Sequence, residues 1–491
     1  MPGARNRTAA FLGGDLQGSL RRSLTLRDLI VYGLLFIAPM APVGIYGALD
    51  ARSHGVVPLV YVVATIAMSF TAYSYARMVH AVPQAGSVYA YARAGLGDAP
   101  GFVAGWMMML DYLLIPAVAY LFSGIAMEQL VPSVDQWVWT ALAVLVSTAL
   151  NLSGVHRAAA VGFVILVMEI AVLLVFCVTA VVVLVQDGPA RGDWLTPFTG
   201  DRDFSLVAVL GAVSVAVLSF LGFDAIANFA EEATGGRGRE GDGPSLVARA
   251  LVWCLVLAGL LFIAQTYLAA LLSEESSRKL ADDPASQGAA FYTAVNGAVG
   301  EWLEKTIAVS KAIGAAFAAL AGQAAAGRLL YAMARDGRLP KALSRVHQGT
   351  GVPRRTLLLS AVLTLCAAVW AARTAEGLDR LVSVVDMGAL TAFCLLHLSV
   401  VGYYGLRRGA ADHAMSPLRD WIVPLVGLGI MIAVIVTASR EAHYVGLVWL
   451  AAGLVVAYVL HRRDRLSGGL GGGPGGLGGP GGPGGNVGGT A

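Results

Sequence analysis

Twelve predominantly apolar stretches, each about 20 residues long, follow one another through short connections along nearly the whole chain. They fall at about 29–50, 56–79, 100–127, 134–152, 158–185, 205–230, 247–272, 306–331, 356–373, 383–406, 420–438 and 443–461. A helix needs roughly 20 such residues to cross about 30 Å of hydrocarbon. Helices also satisfy their backbone hydrogen bonds internally, as lipid requires. The reading is an all-α integral membrane protein of twelve transmembrane helices. Only 13% of the 491 residues are charged, 57% are hydrophobic and mean hydropathy is +0.70, whereas a soluble domain carries roughly 25% charge. The apolar excess must face lipid. The first stretch begins after 28 residues and exceeds the apolar core of a signal peptide, so no cleaved signal is expected.

Twelve crossings put both termini on one side. The loops, span ends and tails of that side hold 24 of the 34 Lys and Arg, among them Arg21, Arg22, Arg335, Arg338, Arg407, Arg408, Arg462 and Arg463. The positive-inside bias makes that side cytoplasmic, in a plasma-membrane protein. A net charge of +3 is no nucleic-acid footprint. Cys177, Cys254, Cys366 and Cys394 lie in apolar stretches at no metal-ligand spacing, and read as small core hydrophobes with no metal or cofactor implied. The organisation expected is a cytoplasmic tail (1–28), two five-helix units (29–185 and 205–406), two peripheral helices (420–461) and a disordered glycine-rich tail (467–491). Residues 232–245 read as a flexible cytoplasmic loop, and 273–300 as the longest external connection.

Two spans are interrupted. Span one reads VYGLLFIAPMAPVGIYGAL, with Pro39 and Pro42, then Gly44 and Gly47; span six reads LSFLGFDAIANFAEE, with Gly222, Phe223 and Asp224 at mid-membrane. Each proline removes an amide and clashes with the preceding turn. Unwound backbone at that depth persists only where protein or a water-filled cavity satisfies it. Breaks in the first and sixth spans are the pattern of inverted five-helix repeats with a substrate between the discontinuous helices.

Three motifs in order resemble one family. VPQAGSVYAYARAGLG from Val82 runs into GFVAGW; GFDAIANFAEEA closes span six; RLLYAMARDGRLP from Arg328 ends span eight. Over about residues 24–461 the chain is identified as a member of the amino acid–polyamine–organocation transporters. The resemblance implies the leucine-transporter-type fold, ten core helices plus two peripheral ones. It places substrate at Ala38, Pro39, Met40, Ala41 and Gly44 in span one and at Phe220, Gly222, Phe223 and Asp224 in span six. Amino-acid carriers of the family hold the substrate carboxylate on glycine-rich backbone in span one. Here Pro39 and Pro42 delete two donors, which weakens that capture. The span-one sequence followed by LDYL in span three resembles the putrescine-importer branch. The basic run that usually follows span six is worn down to GDGPS and Arg249.

Ionisable residues inside spans are Asp111, Glu169, Asp224, Lys311, Asp386 and His397. A charge at mid-bilayer costs at least roughly 2.5–3.5 kcal/mol, so each is a functional candidate. Asp224 can pair with a substrate ammonium or cap the second half of span six. Asp111 and Tyr112 can offer a charge and an aromatic wall to a diamine, or Asp111 can be satisfied inside the fold. Glu169, where several proton-coupled relatives carry a lysine, can load and release a proton or bond a neighbouring helix; Asp386 is a second proton-coupling candidate. Lys311 is expected to snorkel outward or balance Asp386. Phe220 and Phe223 can be gate aromatics or core, and His397 reads as core. The function expected is proton-coupled symport of amines or amino acids by alternating access, with a putrescine-like cationic amine favoured and protons preferred to sodium. The alternatives are an amino acid permease or exchanger and, from another class, a channel or non-transporting sensor. Neither Walker A sequence nor clustered enzyme motif is present, so a pump or enzyme is not expected.

Overall fold

The computed structural model describes residues 25–83, 87–153, 158–200, 204–229, 233, 243–335, 340–345, 353–407 and 416–469. The regular elements among them are helical. In chain order they are α1 (Leu26–Ile37), α2 (Ala41–Ser53), α3 (Val57–Ala81), α4 (Ser87–Leu96), α5 (Asp98–Leu130), α6 (Gln136–Ser153), α7 (Ala158–Asp187), α8 (Thr196–Thr199) and α9 (Leu206–Ala216). The remainder are α10 (Gly243–Leu272), α11 (Ser277–Asp282), α12 (Ala290–Ala298), α13 (Glu301–Arg335), α14 (Arg354–Ala372), α15 (Gly377–Val400), α16 (Val423–Thr437) and α17 (Arg440–Gly469).

Nine of the described helices are long and apolar enough to cross a membrane. The bent pair α1 and α2 makes a further crossing if counted as one, and two shorter apolar helices, Gln136–Leu152 and Leu206–Phe220, lie where the fourth and sixth spans were expected. The protein is a multi-pass membrane protein. Helix starts follow local chemistry: Thr25 and Asp28 form a capping box, the Thr25 amide donating to Asp28 Oδ2 at 2.9 Å. Apolar side chains that a soluble protein would bury point outward on α7, α16 and α17, among them Val164, Val178, Val185, Val436 and Val448. Without a hydrophobic drive between helices, close approach comes from small residues. Along α13 the run AIGAAFAALAG brings that helix onto α5, where Gly322 packs against the Pro116 ring and Ser123 Oγ donates to the Ala312 carbonyl at 2.9 Å.

The last helix is clasped to α5 by a reciprocal pair. Trp106 Nε1 donates to the Trp449 carbonyl at 2.8 Å, Trp449 Nε1 returns a bond to the Trp106 carbonyl at 2.9 Å, and the rings stack with centroids 4.9 Å apart. Gly453 leaves the space that the Trp106 ring fills. Ion pairs tie Arg52 on α2 to Asp379 on α15, and Arg77 on α3 to Asp420.

Some expectations are refined. The connection at 273–300 is not bare loop: it folds into α11 and α12, and Gly47 of α2 packs against the Gln287 backbone between them. Helix α10 begins at Gly243, inside the expected flexible segment, and α17 continues through Gly469, past the expected start of the tail; residues 470–491 lie outside the described residues, as does the DGRL part of the span-eight motif. Cys254 is buried, whereas Cys366 is exposed on α14 beside the outward apolar side chains Val362 and Leu363.

Candidate functional site

Both expected interruptions are present, and they touch. In span one the helix stops at Ile37, Ala38 takes φ 58°, and α2 restarts at Ala41, bent 47° from α1. Pro39 and Pro42 lack the amides that would continue the ladder. The carbonyls freed by the break find donors on other helices. Gln265 Nε2 of α10 donates to the Pro39 oxygen at 3.0 Å, and Lys311 Nζ of α13 donates to the Met40 oxygen at 2.9 Å. Ser310 Oγ adds a 3.4 Å bond to Met40 Sδ. In span six α9 gives way to a tight turn at Val217–Phe220, an extended Leu221 and Gly222 at φ +105°, before a second tight turn at Phe223–Phe229. A Cβ on Gly222 would lie 2.8 Å from the Phe36 carbonyl oxygen, so glycine is required there for conformation and for close approach.

Beside this junction lies a cavity of about 70 Å³. Phe36, Ile37, Ala38 and Ala41 line it from span one, Ile115, Val118, Ala119 and Phe122 from α5, Leu218, Ser219 and Leu221 from span six, and Lys311, Ala315 and Ala318 from α13. Its wall is apolar except for Ser219, whose Oγ lies 2.8 Å from Tyr61 Oη, and Lys311. The Lys311 ammonium stands 5.0 Å from the centre of the Phe122 ring; that ring in turn packs on Gly44.

The sequence profile of the amino acid permease family matches residues 29–459. The chain belongs to that family. It is 31% identical over 440 residues to the low-affinity putrescine importer PlaP of Escherichia coli, covering 89% of this chain and 93% of that protein. Similarity extends at 26% identity to the methylthioribose transporter of Bacillus subtilis (91% of this chain, 95% of the relative) and at 25% to its branched-chain amino acid permease BcaP (91% and 94%). Membership makes the protein a permease rather than an enzyme, in agreement with the three motifs.

The permease keeps its acids off the cavity wall. Asp224 is buried behind the span-six break, where its Oδ1 accepts from the Gly222 amide at 3.3 Å while Oδ2 has no hydrogen-bond partner. Asp111 sits one turn along α5 from Ile115, on the stripe that lines the cavity but outside its lining, with Oδ1 unpartnered. Asp386 of α15 is buried with both carboxylate oxygens unpartnered. Asp111 lies in the field of Asp224, and Asp386 in that of Asp111, Arg52 and Asp379. Tyr112 is half-buried against the core. Phe220 packs on Tyr61 and Phe262, and Phe223 on Tyr75 and Phe393, so both fill the core rather than face the cavity. His397 is core as expected, bonded through Nδ1 to Ser74 Oγ at 2.8 Å.

Lys311 is the principal correction. It does not snorkel outward and does not reach Asp386; its side chain is buried and turned to the broken backbone of span one. Its electrostatic partner is Glu169 of α7, buried with Oε1 unpartnered; the two feel each other without an ion pair within 4.0 Å. Gly314 makes the room that the Glu169 carboxyl occupies against α13. Gln265 was missed altogether. Its signal was a lone amide inside the apolar run LLFIAQTYL, a polar group that needs a partner at that depth.

Proposed function

We propose that the protein is a secondary active transporter carrying small amines or amino acids across the plasma membrane by proton symport with alternating access. The chain makes twelve crossings in two inverted five-helix repeats plus two peripheral helices, with both termini cytoplasmic. The observation that carries this reading is the meeting of the two broken spans at Gly222 and Phe36 beside a cavity. Discontinuous helices around a midplane cavity are how such carriers bind cargo and rock around it.

The ammonium end of the cargo is received at Asp111 and Asp224, next to the cavity stripe of α5. Three buried carboxylates with unpartnered oxygens favour a cation or protons. The putrescine importer among the relatives supports an amine cargo. The coupling proton is assigned to Glu169, whose charge state sets how far the Lys311 charge at the break is balanced, with Asp386 as a second carrier. Uptake into proteoliposomes from a panel of labelled amines and amino acids, with an imposed pH step, tests the proposal. Acid-driven accumulation of amines supports it. Passive, saturation-free flux would indicate a channel, and absence of flux with retained ligand binding would indicate a sensor.

A further inference from the structure

Lys311 answers a deficit that the two prolines create. A span-one break with free amides can hold an anion on backbone N–H groups, but Pro39 and Pro42 have none to give. The positive group at this break is instead a side chain from α13. Its ammonium carries three N–H donors; the Met40 carbonyl takes one at 2.9 Å, and the Phe122 ring flanks it at 5.0 Å. Lys311 is the one charged side chain on the cavity wall among the described residues. The rest of that wall is aliphatic or aromatic, apart from Ser219. Glu169 stands too far for an ion pair, so Lys311 keeps donors for a ligand.

Resting on the permease reading above, we propose that Lys311 is the specificity-determining residue for a substrate carboxylate, which it binds in place of the amides missing from span one. The site then has two poles. A cationic pole sits at Lys311, and an anionic pole lies at Asp111, along the same α5 stripe beyond Ile115. The ligand that fits is an amino acid whose ammonium and carboxylate are separated by a short apolar chain. A diamine leaves Lys311 facing a like charge. With about 10–15 Å³ of such volume per water-sized group, the cavity of about 70 Å³ holds a carboxylate and a short run of methylenes.

Three probes of matched length isolate the carboxylate: putrescine, 4-aminobutyrate and butylamine. Purified full-length protein in liposomes should take up 4-aminobutyrate with an apparent affinity at least tenfold tighter than butylamine. Lys311→Met should erase that difference while leaving butylamine uptake measurable, and Lys311→Arg should keep much of it. If a variant does not fold, thermal stabilisation of the wild-type protein by the same three compounds provides the readout, with 4-aminobutyrate expected to stabilise most. Equal affinity for 4-aminobutyrate and butylamine, or a preference that survives Lys311→Met, overturns the assignment while the transport of amines stands. If none of the three probes is bound or carried, the proposed function falls together with it.

Discussion

Gly222 of span six rests its α-carbon against the carbonyl of Phe36 in span one, where even a methyl group would collide with that oxygen. The contact joins two segments that are 186 positions apart in the chain and lacks any side chain on the Gly222 side. Gly222→Ala therefore acts twice. An L-residue in the left-handed region costs about 1–2 kcal/mol, and its methyl pushes the two breaks apart. The expected outcome is a lower unfolding temperature in detergent and near-complete loss of uptake. Wild-type transport by this variant would show that the breaks need not touch.

Trp449→Phe keeps the ring stack on Trp106 and deletes one of two reciprocal hydrogen bonds. A loss of about 1 kcal/mol is expected, read as a modest fall in thermal stability with transport kinetics unchanged. A large change in transport would give α17 a direct part in the cycle.

Glu169→Gln preserves shape while fixing the site in a neutral form. Accumulation against a gradient should no longer respond to an imposed acid step, whereas exchange of cargo across the membrane continues. If the pH response is unaltered, coupling passes to Asp111 or Asp386.

Asp224→Asn should raise the apparent KM for a cationic amine at least tenfold, with a smaller effect on the maximal rate. Its Oδ1 already serves the Gly222 amide at 3.3 Å, so an effect confined to stability would leave it a cap of the broken helix.

A reporter fused after Arg463 should be active only in the cytoplasm. An external signal there is incompatible with twelve crossings and the basic asymmetry of the loops.

How far the sequence could be read depended on the distance over which each residue acts. Pro39, Pro42 and Gly222 declare a break through their own backbones, so both interruptions were visible. The positions of the long helices followed from apolar length, though not their exact ends, and the motif order pointed to the family. Lys311 was misread because a long side chain's destination depends on what lies across from it. The sequence does not show that a proline-flanked turn brings the Met40 carbonyl within its reach. For Asp224 and Asp111 the alternatives stayed open, because a break or a helical face does not say which groups lie across from a carboxylate. The Gly314 gap that admits Glu169 is likewise a relation between α7 and α13 that neither helix reveals alone.

The tethers on span one also bear on how the molecule changes shape. Gly33 is wedged between Ile226, just past the span-six break, and Cys254 of α10, while Gln265 of the same α10 holds the Pro39 carbonyl. The part of span one before the break and the break itself are thus each fastened to α10. Span one cannot hinge there by itself without breaking a buried hydrogen bond and unpacking a close contact. Any displacement of α1 therefore has to carry residues 223–229 and α10 with it or give up those contacts.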